Sequence, residues 1–393
     1  MPDAPWHEPD IHLSARVEVT RDTERLADIA PQWDELAAAA LEPNPSYESW
    51  MLLPALRALP PAAAVRCVLV WERSGPTAAT RLVGLLPFQR FRSIRGLPAP
   101  MLSSWCHSSF LLGSPLVRAD CAQDSLRTLL DWIAEGEERV AAVEFRYLPG
   151  DGAFYGLLAR ELRERQWKET VTRTYSRALL RKAETADRYL ENALSKNDRH
   201  SMARRERRLR ALGDVTRVAM GLRDDPGLWL NDLLRLEAGG WKGKSGGAFA
   251  CDEAQHRFVI EALTAAHARQ RLKIFGVDLN DVPLSRQAVL IAGSSSYAYR
   301  TAYDEAYARY GPGIMVAIDT IRAFHDLPGI DCMDSLTAPD NEMLNRLWLD
   351  RRTVHSIMVP TRVWGEMWVR LLPLLRRAKD MFAGRRPEPS VLR

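Results

Sequence analysis

The stretch SSSYAYRTAYDEAYARYGPGIMVAIDTIRAF, residues 294–324, gathers residue types that could do chemistry together. An alternating, aromatic-rich strand pattern leads into Gly311-Pro312-Gly313 and then into a helical pattern. Glycines at such a junction let backbone approach a ligand closely. The first N–H groups of a helix lack internal partners, and they sit at the positive end of its dipole, which suits a diphosphate. Pro312 has no N–H, so the candidate donors are Gly311, Gly313, Ile314 and Met315. Three carboxylates stand near strand ends: Asp304 and Glu305 after this strand, and Asp334 in the next. A carboxylate beside a reacting centre can act as a general base, directly or through water. Alternation sends Asp304 and Glu305 to opposite faces, so both cannot line one site. By the same rule Tyr297, Tyr299 and Tyr303 share a face, where core packing is their simplest role.

A second candidate is GGWKGKSGG, residues 239–247. A nucleotide phosphate loop would need glycine where Ala238 stands, and it would follow a buried strand instead of a helix. The stretch reads as a helix C-cap and loop. Its sharper reading is a mobile acceptor-binding loop in which Trp241 supplies an apolar wall and Lys242 or Lys244 an anion contact. Glu237, on the preceding helix, joins Trp241 and Lys242 in that acceptor set. The eight histidines show no metal-binding spacing, so no metal is expected. Cys106 and His107 are adjacent and point to opposite faces of a strand, which disqualifies them as a nucleophile pair.

The elements that must position these residues alternate along the chain. Its 393 residues suggest two domains. Residues 1 to about 15 read as a loose leader without an apolar signal core. Helical spacing then predicts helices over 22–36 and 46–57, a hairpin over 67–72 and 80–90, and an unassigned stretch near 103–117. Helices at 123–136 and 153–165 alternate with strands at 141–148 and 169–180. A polar helical region covers 185–212, followed by a strand at 214–220 and a helix beginning at Asp225-Pro226. After a helix at 253–270, short turns make 272–280, 285–293 and 296–305 an antiparallel meander. A helix from Ile314, a strand 330–336, a helix 339–350, a strand 354–360 and a basic amphipathic helix 362–382 complete the order. That last helix is expected to bury its apolar side on the protein, peripheral membrane contact being the other option.

Lysine and arginine exceed aspartate and glutamate by only 54 − 50 = 4, which argues against a nucleic-acid coat. The segment Lys196–Arg210 nevertheless holds seven basic residues against Asp198 and Glu206. Its default role is a solvated face; the functional options are steering of a polyanion or binding of an RNA acceptor stem. Five scattered cysteines read as reduced thiols of a cytoplasmic protein. No run approaches the roughly 18–20 apolar residues of a membrane span.

Taken together, Trp241-Lys242-Gly243, the meander ending in Tyr303-Asp304-Glu305, Tyr310-Gly311-Pro312-Gly313 and Asp334 resemble the acetyltransferase domain of the GNAT superfamily. The likeness is to the CelD-like, FemAB-like two-domain branch and covers about 190–360. The superfamily loop begins with Gln or Arg three places before its first glycine; here Ala308 stands there and Arg309 one place later. The resemblance implies an α/β fold of two tandem GNAT-like domains, 1–184 and 185–393, with mixed, largely antiparallel central sheets flanked by helices. It implies transfer of an acyl group, acetyl being expected, from acyl-CoA to a primary amine such as an amino sugar, in polysaccharide or envelope metabolism. Tyr303, Gly311, Gly313, Ile314 and Met315 would hold the acyl-CoA, and Glu305, Asp304 or Asp334 would act as base. The alternatives are a FemAB-like ligase using aminoacyl-tRNA and a non-catalytic scaffold at a membrane surface.

Overall fold

The computed structural model describes residues 14–59, 64–73, 80–93, 99–107, 109–136, 138–361 and 365. The first half contains β1 (Ser14–Thr20), α1 (Thr23–Asp28), α2 (Ala30–Ala38), α3 (Ser49–Ala58), β2 (Val65–Arg73), β3 (Thr80–Phe91), β4 (Met101–Ser104) and β5 (Leu116–Val117). It continues with α4 (Ala122–Glu135), β6 (Ala142–Pro149), α5 (Ala153–Glu164) and β7 (Thr170–Arg181). The second half opens with α6 (Ala186–Ala193), α7 (Lys196–Arg210), β8 (Val215–Ala219), α8 (Pro226–Gly239), α9 (Trp241–Lys244) and α10 (Glu253–Ala268). Then come β9 (Leu272–Leu279), β10 (Val282–Ala292), β11 (Ser295–Tyr303), α11 (Pro312–Asp326), β12 (Cys332–Asp334), α12 (Glu342–Leu347) and β13 (Asp350–Pro360).

The strands form one mixed sheet in the order β1-β2-β3-β4-β6-β13-β7-β12-β11-β10-β9-β8, with β5 on the flank of β3. Both halves repeat one plan. Three antiparallel strands, β2-β3-β4 or β9-β10-β11, are followed by a strand parallel to the last of them, β6 or β12. A helix, α4 or α11, lies in the connection to it, as a parallel pair requires. The closing strands are then exchanged: β13 pairs with β6, and β7 pairs with β12. β13 and β7 pair with each other and so join the halves into a continuous ladder.

Local sequence explains most boundaries. The β9–β10 turn uses Asn280 and Asp281, both with positive φ (49° and 63°), the requirement of a tight two-residue hairpin. Asp225 caps α8 through Gly227 N–H, with Pro226 at the first helical position. Ser195 and Asp198 form a reciprocal capping box that starts α7. Helix α3 of the first half and α8 and α10 of the second bury Met51, Leu52, Leu233, Phe258 and Leu263 in one cluster, against Tyr297 and Tyr299 of β11.

Several expectations are corrected. Residues 14 and 15, at the end of the expected leader, belong instead to an edge strand, β1, that runs on to Thr20 with Val17 opposite Val70 of β2. The helix over 22–36 breaks at Ile29, where Pro31 starts α2 anew. The polar helix over 185–212 is two helices, separated at Leu194 and Ser195. The strand over 330–336 shrinks to three residues because Leu336 takes φ 53°, which turns the chain out of the sheet. The expected helix over 362–382 lies outside the described residues. Among those residues no helix is long and apolar enough to cross a membrane.

Candidate functional site

β11 is the axis of the site. Against β10 its register slips: Ala288 faces Arg300 and Val289 faces Ala298, so Tyr299 is an extra, bulged residue. A bulge leaves backbone outside the ladder and bends its strand. It also reverses the alternation beyond it. Tyr297, Tyr299 and Ala302 pack with the α3–α8–α10 cluster, whereas Tyr303 turns toward α11, its ring 2.9 Å from where a Cβ on Gly313 would lie. The three tyrosines therefore do not share a face.

On its other edge β11 pairs with β12 only through Ser295–Tyr297, opposite Cys332–Asp334. From Ala298 to Tyr303 no strand pairs with that edge among the described residues. The open edge leads to a 3-10 turn, Glu305–Tyr310, and then to Gly311, which caps α11 at φ 74°. That left-handed conformation favours glycine.

The four expected amide donors are not equally free. Gly311 N–H donates to Ala308 C=O, and Ile314 and Met315 both donate to Gly311 C=O at 3.1 Å. Met315 is already the fourth residue of the helix, so its bond to the cap is ordinary helical pairing. Gly313 alone keeps an N–H without a backbone partner among the described residues. Two adjoining cavities reach this corner. One, of about 380 Å³, is lined by Asp198, Met202 and Arg205 of α7, by Tyr303, Gly311 and Gly313, and by Met343, Arg346 and Leu347 of α12. The other, of about 440 Å³, lies between α6, α7 and α11 and shares Met202, Arg205, Gly311 and Ile314.

The opposite side of β11 carries a narrow slot lined by Glu237, Trp241, Lys242, Thr301, Tyr303 and Glu305. GGWKGKSGG is not all loop, because Trp241–Lys244 forms a helical turn. The buried Glu237 carboxylate accepts from Phe249 N–H at 3.0 Å and pairs with Lys242 at 3.3 Å and Arg300 at 2.5 Å. Arg300 in turn lies 4.0 Å over the Phe249 ring. Burial, followed by the charge of Arg300, pushes the Lys242 ammonium down to about 8 against the pull of Glu237.

The three candidate carboxylates are not brought together. Glu305 lies in the slot, where it accepts from Trp241 N–H and pairs with Lys244. The hydrogen bond from Lys244 holds its carboxyl below the ordinary range. Asp304 caps the 3-10 turn through Ala306 N–H at 2.9 Å. Asp334 sits opposite Tyr297, six residues before Tyr303, so roughly 20 Å of strand separates it from the corner. It is fully buried between Arg177 (2.6 Å) and Arg352 (3.0 Å). Burial raises its pKa, but the charges of Arg177 and Arg352 outweigh that, and the net shift is downward. It sits at the centre of a buried ion-pair group. The sequence reading missed Arg300, Arg205, Arg346 and Arg177; an arginine inside an otherwise apolar strand, as at 300, was the one visible signal. His107 is fully buried among Trp105, Phe110 and Phe258. Neither of its ring nitrogens has a partner among the described residues, and burial, with Arg300 adding, pushes its pKa down to about 3.

Residues 196–342 match the acetyltransferase (GNAT) domain. No curated protein matches the chain. Among solved structures, the C-terminal domain of a putative lysylphosphatidylglycerol synthetase from Agrobacterium fabrum superposes with a TM-score of 0.51 at 8% identity, covering 90% of this chain and 97% of that one. A conserved protein of unknown function from Bacteroides thetaiotaomicron VPI-5482 gives 0.50 at 10% identity, covering 88% and 100%. FemX gives 0.49 at 12% identity, covering 87% and 96%. At such identities the likeness is one of fold. The match and the strand order make residues 196–342 similar to the GNAT acetyltransferase domain, within a chain whose two halves repeat one GNAT-like α/β plan and share one sheet.

Proposed function

We propose that the chain is an N-acyltransferase of the CelD-like branch that moves an acyl group, acetyl in the first instance, from acyl-CoA to a primary amine. The observation that carries this reading is the open edge of β11 running from the Tyr299 bulge to the left-handed Gly311 corner, with a cavity of about 380 Å³ beside it. Pantetheine amides extend along an unpaired strand edge as an added strand would. The diphosphate meets the Gly313 N–H and the start of α11. A bulge amide is placed to donate to the thioester oxygen as negative charge develops there. The acceptor enters from the slot on the other face. Its nitrogen attacks the thioester carbon, the C–S bond breaks, and CoA leaves as a thiolate that takes up a proton. The ammonium proton goes to Lys242, whose depressed pKa leaves an appreciable neutral fraction near pH 8. Glu305, tied to Lys244 and Trp241, holds the α9 turn against β11 and does not act as base.

Calorimetry with acetyl-CoA and longer acyl-CoAs, followed by thiol-release assays over amines and amino sugars, tests the proposal. Absence of binding by every acyl-CoA removes it. One observation favours the aminoacyl-tRNA alternative: Lys196, Arg204, Arg207 and Arg208 are exposed on α7 and make no ion pair among the described residues. RNA binding that falls steeply with added salt would support that reading.

A further inference from the structure

Helix α7 belongs to neither the meander nor the crossover of the acetyltransferase domain, yet it lies across the corner. Two of its side chains face α12 over the cavity of about 380 Å³. Arg205 rests on the turn itself, its guanidinium nitrogen 3.4 Å from where a Cβ on Gly311 would stand. It makes no ion pair among the described residues. Asp198, two turns back on the same face of α7, pairs with Arg346 of α12 and so bridges the cavity. Both partners of that bridge have somewhere else to go. Asp198 is the third residue of α7 and accepts from Ser195 N–H (3.3 Å) and Ser195 Oγ (2.8 Å), at the positive end of the helix dipole. The Ser195 hydrogen bond, more than the charge of Arg346, holds its carboxyl below the usual range. Arg346 is about two-thirds exposed (65%), and so exposed a pair adds little net stability. A guanidinium closing on a phosphate gains two parallel charge-assisted hydrogen bonds.

We infer that Arg205 and Arg346 form a side-chain clamp for the phosphates of the donor, and that Asp198 is a built-in counter-ion that holds Arg346 until the donor displaces it. The clamp rests on the donor reading proposed above. In the empty protein Asp198, together with Glu342 of α12, balances the two arginines that line the cavity; on binding, Arg346 exchanges a carboxylate for a phosphate while Asp198 falls back on the cap of α7. Charge at position 198 therefore weakens donor binding, although it lies in the same cavity as the clamp.

Calorimetry on the full chain with two probes, acetyl-CoA and inorganic pyrophosphate, decides it. Arg346→Ala is expected to weaken both about tenfold, and Arg346→Lys less, since it keeps charge but loses the paired geometry. Arg346→Lys also serves if the alanine variant does not fold. Asp198→Asn is expected to tighten both several-fold, and this gain disappears in the Asp198→Asn, Arg346→Ala double variant. Unchanged or weaker binding by Asp198→Asn overturns the inference, as does indifference to Arg346. Acetyl-CoA binding that ignores all these changes sinks the clamp and leaves the donor reading standing. Pyrophosphate binding that follows the clamp, without acetyl-CoA binding, does the reverse. If the wild-type chain binds neither probe, both fail.

Discussion

The carboxylate of Asp334 and the guanidinium of Arg177 meet at 2.6 Å with both side chains wholly out of water. Arg177 also donates to Leu111 C=O, and Arg352 links the same carboxylate to Asp151. The pair lies where β7 of the first half abuts β12 of the second. Removing one partner of such a pair strands a charge in the interior. Asp334→Asn is therefore expected to lose about 3–5 kcal/mol of stability in urea unfolding. Turnover per folded molecule should change little. Full stability with abolished turnover would return Asp334 to the list of bases.

Lys242 sets the expected pH profile. A base works in its neutral form, so kcat/KM should rise with pH and level off above about 8. Lys242→Gln should remove that limb and cost roughly a hundredfold or more in kcat. A profile unchanged by the substitution would assign the proton transfer elsewhere.

Gly313 has no room for a methyl group, because a Cβ there would meet the Tyr303 ring at 2.9 Å. Gly313→Ala should cost about 1–3 kcal/mol through overpacking and weaken acetyl-CoA binding. Adding Tyr303→Leu should recover much of the stability. If the single variant is as stable as wild type, the ring does not press on the corner.

His107 is expected to contribute to acid unfolding. Its folded pKa of about 3 lies below an unfolded value near 6.5, so the neutral form is the one the fold accepts. Its contribution is complete above pH 6.5 and is lost as pH falls from there toward 3. His107→Leu should flatten the decline of melting temperature across that window. An equally steep decline in the variant would show that other groups drive acid unfolding.

The meander and the corner were legible because they are local: alternating apolar residues, a two-residue turn at Asn280 and Asp281, and glycines flanking Pro312. The Tyr299 bulge was not, since one extra residue in β11 leaves no trace in composition, yet it alone puts Tyr303 on the Gly313 side. Asp334 looked like a candidate base because sequence shows the carboxylate but not Arg177, which reaches it from 157 positions away. Glu237, Trp241 and Lys242, grouped from sequence, do line one slot, while Arg300, which completes the ion-pair group of Glu237 and Lys242, went unread because strand charges usually face solvent.

The seat of β13 between β6 and β7 also bears on how the protein is made. Until the ribosome has released residues 350–360, the growing polypeptide displays two bare strand margins, those of β6 and β7, that invite pairing with each other or with a neighbouring molecule. A nascent chain halted before that point should consequently depend on chaperones, and its arrival acts as the zip that commits both halves at once.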